Sequence, residues 1–262
     1  MAVKGLNLFG KRFADFQNAF ILIGGAACDL WFSNKNMEFR STKDLDIVLV
    51  LENITSGFVT QFRQFIDDGK YEVRNRNEDG PPALYRFAKP KVQDFPFMIE
   101  LFCKKIPELD LGSEQHIVPV RMKDTQSLSA ILLHETYYNF LLNHCHESRG
   151  VMAADATVLI PLKARAWLDL TTRKAAGETI KNDDIKKHRH DVFRLAATLP
   201  GDPCEPLPDE LIVDISSFLD RHPADSADWD AIQKAVRATI GGIIAPETLI
   251  FAIRNYYHLN KS

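Results

Sequence analysis

Three acidic residues in the first half of the chain stand where carboxylates can act on a phosphate. Asp44 and Asp46 open the apolar run DLDIVLVL, and Glu100 lies inside the apolar run FMIELF. Side chains two residues apart on a strand share a face, so the two aspartates are expected to project together. Carboxylates this close repel each other, and a hard divalent cation between them would relieve the repulsion. Because an unpaired carboxylate is costly to bury, Glu100 is expected either to be a third metal ligand or to form a structural ion pair.

A glycine pair precedes these acids in the sequence AFILIGGAACDLWF. An apolar strand is predicted to end at Gly24-Gly25, and a helix is predicted to begin directly afterwards. Backbone N–H groups at a helix start can face a phosphate, and the missing side chains permit a close approach. A D-x-D pair alone is also common turn chemistry. Together with the strand, the glycine turn and the helix, it predicts a two-metal site for phosphoryl transfer.

The elements that would position these residues follow from the hydrophobic pattern. Short β-branched or aromatic runs predict strands at 20–23, 45–51, 71–76, 84–88, 97–102 and 117–120. Helical spacing predicts helices after the glycine pair and at 57–68, 161–176, 183–199, 208–221, 227–240 and 246–258. We therefore expect an α+β (α/β) fold, with a mixed sheet and flanking helices in residues 1–155 and a helical bundle in residues 156–262.

Composition limits the classes of partner. The 262 residues carry a formal net charge of −3, so no global basic field favours indiscriminate binding of nucleic acid. Basic residues are concentrated in 160–190, whereas 201–233 has nine acids and one Arg. The four cysteines form no CxxC pair, and no apolar run is long enough for a signal peptide or a membrane span. These features predict a cytoplasmic protein that does not associate with membranes.

Several motifs resemble the nucleotidyltransferase superfamily that includes DNA polymerase beta. The run RSTKDLD (40–46) is similar to the R-x-S-x-D-I-D signature of its AbiEii and MenT toxin-like branch. In the predicted helical region, LKARAWLDL (162–170) resembles the lysine motif of that branch, and KHRHDVFRL (187–195) resembles a later cluster of basic and acidic residues. The chain departs from the family in a longer gap before Asp44, which predicts an inserted loop at 31–38. It also departs at Gly25, where the wider superfamily has serine.

The resemblance implies roles for individual residues. Asp44, Asp46 and Glu100 would bind Mg²⁺, with Mn²⁺ as the alternative ion, and Gly24 and Gly25 would hold phosphate. Nucleotide contacts are implied for four basic side chains: Arg40, Lys163, Arg165 and Lys187. Arg40 could instead form an ion pair that supports the two aspartates. The three lysine and arginine residues of the helical region could instead lie on a solvated helix face.

The implied reaction transfers a nucleoside monophosphate from a nucleoside triphosphate such as ATP to an acceptor hydroxyl. The toxin-like branch suggests tRNA or another macromolecule as the acceptor and a cognate antitoxin as a partner, as in toxin–antitoxin pairs. One alternative keeps the enzyme class and takes a small acceptor of the aminoglycoside type, for which the acidic segment 201–233 could supply a pocket. Another alternative is a non-catalytic nucleotide-binding regulatory module.

Overall fold

The computed structural model describes residues 3–75, 82–104, 117–122 and 125–259. The chain divides into two compact units, Met1–Leu30 with Ser41–Ala154 and Trp31–Arg40 with Asp155–Ser262. The last break falls after Ala154, and the sequence prediction placed the boundary after residue 155. The grouping of 31–40 with the helical unit was not anticipated. We describe each unit separately.

The first unit is built on a mixed sheet. Within the described ranges the strands are β1 Phe20–Ile23, β2 Asp44–Leu49, β3 Glu72–Asn75, β4 Pro82–Ala88, β5 Met98–Lys104, β6 Ile117–Met122, β7 Thr125–Leu133, β8 Cys145–Ser148 and β9 Val151–Ala154. Their order is β3-β4-β5-β2-β1-β9-β8, with β7 paired to β5 and β6 paired to β7. β2 runs antiparallel to β1 and parallel to β5. The predicted mixed sheet with flanking helices is confirmed, although β7, β8 and β9 were not predicted.

Helices and aromatic packing complete the first unit. Its helices are α1 Leu6–Arg12, α2 Gly24–Ser33, α3 Ser56–Gly69 and α4 Glu135–Asn143, and short 3₁₀ helices cover Ala14–Ala19 and Leu51–Asn53. The Thr55 side chain caps α3 by accepting a hydrogen bond from the Phe58 N–H at 3.2 Å. The apolar face of α3 joins a phenylalanine core formed by Phe9, Phe13, Phe20, Phe58, Phe62 and Phe65. Burial of each ring contributes about 2 to 3 kcal/mol, which fixes α3 against the sheet that carries the acids.

The helix after the glycine pair is longer than the motif spacing implied. α2 continues through Ser33, so the prediction of an inserted loop starting at Trp31 is wrong for its first three residues. Trp31 donates a hydrogen bond from Nε1 to Oγ1 of Thr198 at 2.9 Å, and the Phe32 and Phe39 rings stack with centroids 5.2 Å apart. These contacts give the segment regular structure and attach it to the helical unit.

The second unit is the predicted helical bundle. Its helices are α5 Ala156–Ala175, α6 Asn182–Ala196, α7 Asp209–Asp220, α8 Trp229–Ile240 and α9 Pro246–Tyr256. α5 begins five residues before the predicted start, because the Asp155 carboxylate caps it by accepting from the Thr157 N–H at 2.8 Å. Pro161 lies inside this helix, although proline usually marks a helix start. Among the described residues, no helix has the length and apolar character needed to cross a membrane.

Candidate functional site

The predicted acids share one face of the sheet. Leu45 is fully buried on the opposite face of β2, whereas Asp44 and Asp46 are partly exposed. In the parallel ladder between β2 and β5, Asp46 lies directly opposite Glu100. Registered neighbours on adjacent strands, about 4.8 Å apart, project to the same face. The structure therefore brings Asp46 and Glu100 side by side, with Asp44 on the same face one pleat away.

Gly24 fits closely against one of these carboxylates. It has φ +66°, a left-handed conformation that favours glycine. A Cβ atom added at Gly24 would lie 1.8 Å from Oδ2 of Asp46, because Ile23 and Asp46 are registered partners in β1 and β2. Because Gly24 has no side chain, the Asp46 carboxylate can lie against the start of α2. Gly25 follows, buried, in the first turn of this helix.

Glu100 also forms the ion pair that the sequence left open as an alternative. The Nε of Arg86 donates to Oε1 of Glu100 at 2.6 Å, and Nη2 of the same guanidinium contacts the same oxygen. Arg86 is the registered partner of Glu100 in the antiparallel ladder between β4 and β5. Both of these contacts end on Oε1.

The carboxylates fit a magnesium ion that also has ligands from a substrate. Within the described ranges, no three His, Cys, Asp or Glu side chains are arranged to hold a metal ion by themselves. Mg²⁺ commonly takes one or two carboxylates and completes its octahedron with water and substrate phosphates. Asp46 and Glu100, adjacent and partly exposed, are a donor pair of this type.

The helical unit contains a separate cluster centred on Asp191 of α6. Arg40 donates to both carboxylate oxygens, with Nε 3.0 Å from Oδ1 and Nη2 2.6 Å from Oδ2. Arg194, one turn along α6, donates to Oδ1 at 2.9 Å, and Nζ of Lys163 on α5 lies 3.4 Å from Oδ2. Burial alone would raise the pKa of Asp191, but Lys163 and the two guanidinium groups outweigh it and lower the pKa to about 2. Three cations thus face one ionised acid.

A half-buried histidine beside this cluster, His188, adds no further charge. Burial lowers the pKa of His188 to about 2, and the positive charges of Lys163 and Lys187 lower it in the same direction against the opposing effect of Asp191. His188 is therefore neutral at physiological pH. Arg40, Lys163 and Arg194 therefore supply the positive charges that surround Asp191.

The other predicted nucleotide contacts lie apart from the Asp191 cluster. Arg165 follows Lys163 by two residues on α5, so it points to a different face, and it pairs with Asp214 of α7 at 3.0 Å. Lys187 pairs with Asp184 one turn earlier on α6, at 2.9 Å. The structure therefore joins Arg40 and Lys163 but does not bring Arg165 or Lys187 into contact with the same acid.

Asp191 was not among the predicted site residues. The sequence feature that could have pointed to Asp191 is its position as an acid inside the strongly basic run KHRHDVFR. Comparisons with family models, with curated proteins and with solved structures give no match. The function is accordingly inferred from the two charge clusters and the quoted motifs.

Proposed function

We propose that the protein is a Mg²⁺-dependent nucleotidyltransferase that moves a nucleoside monophosphate from a nucleoside triphosphate to an acceptor hydroxyl. The observation that carries the proposal is the registered pair Asp46 and Glu100, with Asp46 seated against the glycine turn at Gly24. Mg²⁺ commonly takes one or two carboxylates of this kind, and a nucleotide brings both the cation and its remaining ligands.

The acidic residues would act by positioning. Asp44, Asp46 and Glu100 would hold the ion, which when bound supplies charge neutralisation for the triphosphate. The acceptor oxygen forms a bond to the α-phosphorus as the bond to pyrophosphate breaks, and the hydroxyl proton passes to a carboxylate of this face or to water. The protein then needs few groups beyond those that orient the reactants.

The cationic cluster of the helical unit supports a polyanionic substrate. Lys163 is almost fully buried and forms an ion pair with Asp191. Arg40 pairs with the same acid, and part of its side chain is exposed. Preorganised cations of this kind stabilise the charge that develops on a leaving pyrophosphate. We assign Lys163 and Arg40 to the phosphates of the nucleotide.

For the acceptor we propose tRNA or another macromolecule, following the resemblance to the toxin-like branch. The small-molecule alternative depends on free acids in 201–233. Three of them are paired with arginines of the same unit: Asp214 with Arg165, Asp220 with Arg254 and Asp228 with Arg189. Their pairing weakens the case for a cationic aminoglycoside as the acceptor.

The test is a transfer assay with α-labelled ATP, GTP, CTP and UTP, in Mg²⁺ or Mn²⁺, with bulk tRNA, total protein or aminoglycosides as acceptors. We expect label on tRNA or another macromolecule, and a loss of at least about a hundredfold in Asp46→Asn. Asp68→Asn is the matched control, because this exposed aspartate of the first unit pairs with Arg12.

Four outcomes would contradict the proposal. Full activity in Asp46→Asn would remove the acidic face from the mechanism. Metal-dependent nucleotide binding without transfer to any acceptor would favour the regulatory module, and absence of both binding and transfer would leave no nucleotide function. Label on aminoglycosides alone would keep the enzyme class and overturn the acceptor.

A further inference from the structure

We propose that the first unit has a second ligand site, which binds a small monocarboxylic acid with an apolar body in a cavity between α1 and the loop 89–97. The cavity has a volume of about 370 Å³ and is lined by residues 3–5, 7, 8 and 11 and by Asp94. This volume falls at the lower end of the range for small-molecule sites. The inference does not depend on the proposed nucleotidyl transfer.

Both walls of the cavity are anchored in the core. Phe9 holds α1, because its ring is fully buried among the phenylalanines of the first unit. In the loop, the ring of Phe95 lies 4.7 Å from that of Phe65. The carbonyl of the next residue, Pro96, accepts a hydrogen bond from the Tyr71 hydroxyl at 2.6 Å. A ligand would therefore meet a largely preformed site, and binding would order few further groups.

Gly5 allows the two walls to approach each other. It precedes α1 with φ +77°, and an added Cβ atom would lie 2.3 Å from both Cδ and the backbone nitrogen of Pro96. A larger residue would be strained in this conformation and would push the loop away from the helix. The close approach of α1 to the loop thus requires glycine at this position.

The charged side chains of the cavity are available to a ligand. Lys4, Lys11 and Asp94 are exposed, and within the described part of the chain no ion pair or hydrogen bond engages their side chains. Arg12 of the same helix, in contrast, pairs with Asp68 at 2.7 Å. Two ammonium groups and one carboxylate give the cavity a net charge of about +1, which matches a single carboxylate. Asp94 would repel a second negative charge.

The remaining lining residues favour an apolar body on the ligand. Val3 is buried and Leu8 is half-buried, so both offer apolar surface inside the cavity. Asn7 lies between Lys4 and Lys11 in sequence, and its amide can donate a hydrogen bond to a carboxylate. An apolar lining with a few polar groups is the usual composition of a site for a small organic molecule.

The cavity lies on the opposite side of the sheet from the acids. The ring of Phe9 on α1 contacts that of Phe20 on β1, with centroids 5.2 Å apart. Phe20 is registered with Leu49 of β2, so these two residues project to the same face. Asp46 is three positions from Leu49 on the same strand and projects to the other face. Binding at the cavity can therefore be measured without nucleotide or metal.

The experiment titrates the full chain with hydrocinnamate, which carries one carboxylate on an apolar body. Amide proton–nitrogen correlation spectra report binding through the backbone signals of Gly5, Asn7 and Leu8. We expect saturable shifts at these three signals. Hydrocinnamamide, the neutral counterpart, and the dianions glutarate and phosphate should each bind at least about threefold more weakly, because they lack the charge or carry too much of it.

Three variants test the charges, and a fourth is the control. Lys4→Met and Lys11→Met should each weaken hydrocinnamate binding by about three- to fivefold, as expected for exposed charges. Asp94→Asn should tighten it by about two- to fivefold, because it removes a repulsion, and partial unfolding cannot produce this gain. Lys70→Met removes an exposed lysine of the same unit that does not line the cavity, and it should leave the affinity unchanged.

Several results would overturn the inference. Absence of saturable shifts at Gly5, Asn7 and Leu8 would remove the site. Equal or tighter binding of hydrocinnamamide, glutarate or phosphate would refute the monocarboxylate. Unchanged affinity in both lysine variants would show that the probe binds elsewhere. Circular dichroism confirms that each variant is folded, and Asp94→Asn carries the test if a lysine variant is not. None of these results depends on the transfer assay, so the two proposals stand or fall separately.

Discussion

Asp46 and Asp191 are the same side chain in opposite electrostatic surroundings. Asp46 is partly exposed at the start of a strand, with Glu100 as its registered neighbour and a glycine against its oxygen. Asp191 has no exposed surface and lies among Arg40, Lys163 and Arg194. A second carboxylate lies beside the first aspartate, whereas three cations surround the second.

The contrast separates a carboxylate that can bind a ligand from one that organises other side chains. A buried ionised carboxylate is stable only when it is paired, so Asp191 is committed to its three cations. Asp46 keeps access to solvent, so a ligand can reach its carboxylate. The degree of exposure and the neighbouring charges, more than the residue type, distinguish the two aspartates.

The largest effect should come from removing the buried anion. Asp191→Asn leaves three cations without their shared partner and should lower the free energy of unfolding of the second unit by about 3 to 5 kcal/mol. Asp220→Asn is the control, because its side chain is 70% exposed and pairs with Arg254 at the surface of the same unit. That variant should lose about 1 kcal/mol or less. Urea denaturation measures both, and equal losses would remove the distinction between the two aspartates.

The next effect concerns the fit between Gly24 and Asp46. Gly24→Ala places a Cβ atom on Oδ2 of Asp46 in a left-handed conformation, so it should cost about 2 to 3 kcal/mol and weaken Mn²⁺ binding at least about tenfold. Gly150 has φ +80° with no atom near its missing Cβ, which isolates the conformational cost. Gly150→Ala should lose about 1 kcal/mol and keep its Mn²⁺ affinity. Undiminished Mn²⁺ binding by Gly24→Ala would contradict the assigned contact.

Acidification should destabilise the helical unit through His188. Its folded-state pKa of about 2 lies below the ordinary 6.5, so the unfolded chain binds the proton first as the pH falls. The stability that the neutral ring contributes is complete above pH 6.5, and about 2 kcal/mol of it is lost by pH 5. Thermal unfolding should therefore show a smaller loss between pH 7 and 5 in His188→Gln than in wild type. The exposed His134→Gln should keep the wild-type slope, and an unchanged slope in His188→Gln would contradict the neutral assignment.

The smallest expected effect distinguishes Lys163 from Arg165, two basic residues of α5. Lys163→Met should weaken nucleotide binding by about tenfold, because it removes a preorganised charged contact. Arg165→Met should change the same affinity by less than about twofold, since its exposed pair with Asp214 contributes little. Calorimetric titration with a non-hydrolysable triphosphate measures both. A larger loss in Arg165→Met would reverse the assignment that the geometry favours.

Local pattern predicted the strands and helices that carry Asp44, Asp46, Glu100 and Lys163. It could not predict Arg86, because the pairing of β4 with β5 is a long-range contact that leaves no mark on the spacing of either strand. A solvated helix face was the alternative interpretation for Lys163, as is usual for basic helix residues, but the side chain is buried and contacts Asp191 of α6.

The missed hairpin has a local explanation. β8 and β9 lack the long β-branched runs that indicate strands, and their turn is Arg149-Gly150 in place of the more familiar Asn-Gly. Both turn residues have positive φ, 52° and 80°, as a tight hairpin requires. Arg149 occupies a turn position at which Asn or Asp is usual in a two-residue hairpin.

The grouping of 31–40 with the helical unit has a consequence for attempts to divide the protein. Because the chain leaves the first unit after Leu30 and returns at Ser41, no single cut yields both halves complete. A fragment that stops at Ala154 would carry Trp31 and Arg40 without Thr198 and Asp191, their hydrogen-bond partners. A fragment that begins at Asp155 would lack the bidentate partner of Asp191. The two units are inseparable by simple truncation, and separate production of the helical one would need the short peptide supplied in trans.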